Sequence, residues 1–150
     1  MSSNVIRQPH EGEFLAVVGS RMRILVDSAA TDGRLVVFEG TAAAGNGPPL
    51  HRHGREDEFF FIMEGTVKFL IDGKETTLSP GGSVLAARGS VHTFSAVGET
   101  PCRMIILCTP GGIESAFREV DQLTKSGKPT PETITAAFKK VDLEFVGPPL

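Results

Sequence analysis

Two histidines two residues apart, His51 and His53, are followed by Glu58, and a further histidine, His92, stands in a later apolar segment. On an extended strand, residues i and i+2 face the same way, so the two imidazoles project together. A carboxylate arriving from the next strand completes a set of two His and one acid with positions left open. That set suits chemistry at a first-row metal such as Fe(II). Structural zinc sites are closed and thiolate-rich, which this one is not. With His92 as a fourth ligand, the donors suit one divalent transition metal per chain, be it Fe, Mn, Ni, Co or Zn. His10, in a polar stretch, is read as lying outside the site.

Other charges crowd the same region. Asp57 has the wrong strand parity for a ligand and Glu56 leaves too short a loop, so both are expected to be solvated rim charges. Arg52, between the two ligand histidines, should point away from them. Arg55 and Arg88 are candidates to steer an anionic substrate at the mouth.

The elements that must carry these residues are short. From Phe14 to about Thr109 the chain alternates brief apolar runs with Gly, Pro, Asp and Asn, the pattern of an all-β sandwich or barrel. Asp32-Gly33 and Asp72-Gly73 read as hairpin turns. A Gly/Pro loop, AAAGNGPP, leads into His51 and belongs at a strand end or edge. In DEFFFIME, Phe60 and Ile62 share the parity of Glu58 and would line the site, as would Phe94, which shares the parity of His92. Phe59, Phe61 and Met63 then point the other way and need a cover from a sheet, the helices or a second subunit.

After Gly112, Ile113, Ala116, Phe117 and Val120 form one helical stripe, and Ile134, Ala137, Phe138 and Val141 form another. Thr130 is placed to cap the second helix, with Pro131 at its first position. The two amphipathic helices are expected outside the β region, followed by an extended tail, EFVGPPL. The boundaries drawn are a single domain over 1–150, with an arm over 1–13, a barrel over 14–109, and helices and tail over 110–150.

Composition narrows the classes. At 150 residues and a net charge of −3, with no basic run, the chain does not read as a nucleic-acid binder. No window suits a signal peptide or a membrane span, so a cytoplasmic protein is expected. Cys102 and Cys108 lie six residues apart on one strand, too far to bridge, and read as buried free thiols.

The stretch from Gly45 to Gly65 fits the pattern G-x5-H-x-H-x4-E-x6-G at Gly45, His51, His53, Glu58 and Gly65. It resembles the first motif of the cupin superfamily. The second motif, G-x5-P-x-G-x2-H-x3-N, aligns as Gly81, Ala87, Gly89, His92 and Ala96. Ala87 and Ala96 replace its proline and asparagine, which removes a rigid turn residue and a polar strand position but no ligand. REDEFFFIMEG, TPGGIESAFREV and the GPPL ending look like small bacterial single-domain cupins named for similarity to quercetin 2,3-dioxygenase. The resemblance implies a jelly-roll β-barrel, commonly a homodimer, with His51, His53, Glu58 and His92 holding one metal. It further implies a dioxygenase acting with O2 on a flat enol, flavonol or diketone, Glu58 taking the substrate's proton. A cupin isomerase or lyase, or a barrel that binds metal and small molecule without turnover, is the alternative.

Overall fold

Alternating inward and outward side chains divide the chain into short strands in the computed structural model, which describes residues 1–150. The strands are β1 (Glu13–Val17), β2 (Ser20–Val26), β3 (Val36–Ala42), β4 (His51–His53), β5 (Asp57–Glu64), β6 (Thr66–Ile71), β7 (Lys74–Leu78), β8 (Ser83–Ala86), β9 (Val91–Val97) and β10 (Cys102–Thr109). Helices α1 (Glu114–Lys125) and α2 (Pro131–Lys139) follow, then a last strand, β11 (Leu143–Phe145). One sheet runs β1-β2-β3-β10-β5-β8 and the other β11-β4-β9-β6-β7. The sheets face each other as a jelly-roll sandwich whose strands do not close into a hydrogen-bonded ring. The all-β architecture expected from the turn spacing, and the jelly roll that the cupin resemblance implies, are therefore present.

Period-two burial makes the core. On β10, Cys102, Met104, Ile106 and Cys108 are buried, and between them Arg103, Ile105 and Leu107 face outward. Phe38, Phe60 and Phe69 are almost fully enclosed between the sheets. Each contributes about 1.5–3 kcal/mol by leaving water. The outward residues of β5 are less well covered. Phe61 and Met63 are 37% and 39% exposed, and Leu85 beside them on β8 is 63% exposed. No element of the chain lies over this face.

Three connections differ from the sequence reading or extend it. Asp32-Gly33 does not make a two-residue hairpin. A 3-10 turn over Ser28–Thr31 intervenes, and Asp32 and Gly33 end it with φ of 52° and 77°. Side chains explain this: Asp27 accepts from the Ala29 N–H, and Glu114 from the Ser28 N–H at 3.0 Å. The N-terminal stretch packs on its own chain, with the Ser3 N–H donating to the Ala30 carbonyl at 2.8 Å. The tail is extended as expected, and it also pairs with β4. The strand carrying both motif histidines is thereby flanked on both sides rather than left at an edge.

The helices form where their stripes place them. Thr130 caps α2 by accepting from the Thr133 N–H, with Pro131 in the first turn. Arg118 ties α1 to Glu13 on β1 and to Asp27 after β2. Phe117 packs at a tilt against Phe38 at 5.1 Å and edge-to-face against Phe138 at 5.7 Å, and Phe138 meets Phe145 at 5.4 Å. The helices thus lie beyond the sheets but send two rings into the gap between them.

Candidate metal centre

Register brings the histidines together. His51 on β4 pairs directly with His92 on β9, with ring centroids 4.5 Å apart, and His53 stacks on His92 at 5.3 Å. Glu58 comes from β5 in the opposite sheet, so the centre spans the sandwich. One potential ligand atom from each of His51, His53, Glu58 and His92 lies within 4.8 Å of the others, and all four residues are buried. The Gly/Pro loop before β4 sets the approach: a Cβ on Gly47 would fall 1.8 Å from the Phe94 carbonyl oxygen. Only glycine lets the loop run that close to β9. Gly65, with φ of 79°, turns the chain from β5 into β6.

Every imidazole is tethered at Nδ1. His51 Nδ1 is 2.7 Å from the Pro49 carbonyl, His92 Nδ1 is 3.2 Å from the Ser90 carbonyl, and His53 Nδ1 is 3.3 Å from Glu56 Oε2. An acceptor at Nδ1 fixes the tautomer that turns a free Nε2 lone pair inward. His92 Nε2 lies 3.1 Å and His53 Nε2 3.6 Å from Glu58 Oε1. His53 Nε2 is buried with no hydrogen-bond partner. Such converging lone pairs in a dry site call for a cation, so these residues fit a metal ion.

The electrostatics show an excess of negative charge at the centre, which a cation would balance. Burial and the neighbouring His92 push His51 down to about 4. Burial alone would lower His53 as well, but the Glu58 and Glu56 carboxylates outweigh it and raise His53 to about 9. Burial disfavours the Glu58 anion, yet His53 and His92 hold its carboxyl well below the usual range. The second oxygen of Glu58 accepts from the Cys108 thiol at 3.4 Å. Burial and Glu58 push that thiol up, so it stays protonated.

Residues 38–108 match the sequence profile of the Cupin domain family. The chain carries a cupin domain over these residues. Over 108 residues this cupin is 28% identical to quercetin 2,3-dioxygenase of Bacillus subtilis (strain 168), covering 72% of the chain but 32% of that protein. It is 28% identical over 94 residues to the tetracenomycin polyketide synthase protein TcmJ of Streptomyces glaucescens, covering 61% of the chain and 62% of TcmJ. The chain thus spans about a third of the first relative and under two thirds of the second. KdgF from Halomonas sp. superposes with a TM-score of 0.64 at 23% identity, over 76% of this chain and 98% of KdgF. A protein described as a predicted oxalate decarboxylase from Thermotoga maritima gives 0.65 at 19% identity, over 71% of this chain and 99% of that one. At those identities the likeness is one of fold.

Several surrounding residues sit where the sequence did not put them. Glu56 is not a solvated rim charge: it is 2% exposed and faces His53. Asp57 faces outward but is not merely solvated. It accepts from the Arg88 N–H at 2.9 Å, and Ser90 Oγ donates to the Ala87 carbonyl at 2.7 Å. Those two bonds pin the turn in which this cupin has Ala87 instead of proline. Ala96 is wholly buried against β6, a place where a polar side chain would need a partner. Arg55 pairs with Asp142 and Arg88 with Asp57, and neither lines the cavity. Arg52 points out to Glu144, as its parity requires.

A cavity of about 40 Å³ opens beside the ligands, room for roughly two or three waters. Phe60 and Phe94 line it, whereas Ile62 is fully buried behind its wall. Phe117, Phe138 and Phe145 also line it, and sequence reasoning missed them. The helical stripes signalled that Phe117 and Phe138 are buried, but not what they face. Apart from the ligands, Ser20 is the one other lining residue with a polar side chain, and no Lys or Arg contributes.

Proposed function

We propose that this cupin is a metal-dependent oxidoreductase that acts with O2 on a small, flat organic substrate bearing an enol, flavonol or 1,3-diketone oxygen. The observation that carries this reading is a four-ligand centre of which His51, His53 and Glu58 line a cavity walled by phenylalanines with no cationic side chain. The similarity to quercetin 2,3-dioxygenase points the same way. When bound, a divalent ion (Fe, Mn, Ni, Co or Zn) supplies Lewis acidity toward the substrate oxygen and a template for the reactants.

The chain's own residues do the rest. Glu58, poised beside two imidazoles, accepts the proton that the substrate gives up, as general base. Phe60 and Phe94 hold the flat substrate and exclude water, and Phe117, Phe138 and Phe145 add to the apolar lining. A flavonol exceeds a cavity of about 40 Å³, so admitting one requires its phenylalanine wall to open. An isomerase or lyase for phosphorylated or polycarboxylate substrates fits less well, because such substrates need cationic partners that the cavity lacks. A binding protein without turnover is the remaining alternative.

Around this activity the reading is a single cupin domain over 1–150, paired as a homodimer through the exposed Phe61, Met63 and Leu85 face. Two free buried thiols support a reducing, cytoplasmic setting. No helix is long and apolar enough to cross a membrane. The test is metal analysis of untagged protein, followed by oxygen uptake with a panel of flavonols and 1,3-diketones. Uptake with at least one substrate, abolished by chelation, is expected. No uptake with any of the five metals would overturn the oxidoreductase assignment.

A further inference from the structure

The buried carboxylates of this cupin divide into two kinds. Glu114 accepts from the backbone N–H groups of Ser28 and Gly112, at 3.0 and 2.9 Å. Asp121 accepts from the Ala16 N–H at 2.9 Å and pairs with Lys125. Those two act as staples between α1 and its surroundings. Glu56 is equally buried, at 2% exposure, yet its side chain has one recorded partner, His53 Nδ1 at 3.3 Å. No lysine or arginine pairs with it among the ion pairs of the chain. An isolated buried carboxylate costs several kcal/mol unless a positive charge compensates it.

Charge supplies the reason for its place. Three imidazoles acting as ligands carry no charge, and Glu58 with Glu56 brings two negative charges into one dry site. A divalent ion balances that pair. The three histidines also differ at Nδ1: His51 and His92 donate to neutral backbone carbonyls, whereas His53 faces an anion. An anionic acceptor at Nδ1 makes the opposite nitrogen a stronger donor and locks the ring's orientation.

We propose that Glu56 is the positioning residue of the metal centre: through Nδ1 of His53 it orients that ligand, and its charge is the second half of the balance for a divalent ion. This rests on the metal site and not on the oxidoreductase assignment, so the two fail separately. Glu56 does not touch the metal or the substrate.

The experiment compares Glu56→Gln, Glu56→Asp and an exposed control, Glu132→Gln, in the full chain. Dissociation constants for Co²⁺ are measured by competition with a chelator, together with the Co²⁺ visible spectrum and the far-ultraviolet circular dichroism of each metal-free protein. Glu56→Gln, which keeps an oxygen acceptor but no charge, is expected to bind Co²⁺ about 10–100-fold more weakly with an altered spectrum, while the control matches the native chain. If Glu56→Gln does not fold, Glu56→Asp answers in its place, since the carboxylate is withdrawn by one methylene. A folded Glu56→Gln, or Glu56→Asp where Glu56→Gln does not fold, that binds Co²⁺ within about twofold of native overturns the proposal. Failure of the native chain to bind Co²⁺, Fe²⁺, Mn²⁺, Ni²⁺ or Zn²⁺ overturns it together with the metal reading.

Discussion

Each ligand side chain of the centre is held by something behind it, and the quality of that support sets how replacements behave. His51 and His92 hang from carbonyls two residues back in their own strands, Pro49 and Ser90. Removing either imbalances a four-ligand set that no other side chain can complete. His51→Ala and His92→Ala are therefore each expected to lower metal affinity beyond the roughly 100-fold loss typical of an outer-shell change. Metal content after dialysis against a weak chelator checks this. Loss in His51→Ala but retention in His92→Ala would reduce the site to a three-residue triad. Glu58 shows why a carboxylate ligand needs a specific neighbour. Its first oxygen faces the imidazoles and its second is occupied by the Cys108 thiol, which leaves one oxygen free for the metal.

At the level of elements, β3, β2 and β10 are joined on their outer face by Glu39, which hydrogen-bonds Arg23 at 3.1 and 3.2 Å and Arg103 at 3.1 Å. Partial burial would raise this carboxyl, but the two guanidinium groups outweigh it and hold Glu39 below its ordinary value of 4.5. A carboxyl depressed by folding stabilises the native state above its unfolded pKa and loses that contribution as pH falls through the folded one. Denaturant unfolding is thus expected to show stability dropping below about pH 4.5, part of it from Glu39. Glu39→Gln should lose about 1 kcal/mol at neutral pH and show a shallower acid dependence. Parallel acid profiles for the two proteins would rule the triad out as a contributor. The alternation of β3 and β10 was legible in the sequence. That Arg23, Glu39 and Arg103 meet was not, because they lie on three strands far apart in the chain, brought together only by the sheet's register.

For the molecule as a whole, the unfilled requirement is the outer face of the larger sheet. Phe59 pairs with Leu85 and Leu107, and Phe61 with Ile105 and Ser83, which makes a continuous apolar surface. A second copy is the cover this reading assigns to it. Light scattering coupled to size exclusion should give twice the 16.0 kDa chain mass, and Phe61→Glu should return the monomer with its metal site intact. A native monomer at micromolar concentration would remove the homodimer from the proposal.

Local rules were enough to place much of this cupin from its sequence. Strand alternation, turn residues and helical stripes depend on nearest neighbours along the chain, and so does the spacing that puts His51 and His53 on one face. Glu58 and His92 were legible because a motif carries them. Only the tertiary structure decided that Glu58 arrives from the opposite sheet, that β11 shields the histidine strand, and that Phe117 and Phe138 wall the cavity. Glu56 is the sharpest case. Loop length read it as a rim charge, because whether a side chain meets water depends on what folds over it. In this chain what folds over Glu56 encloses it beside His53.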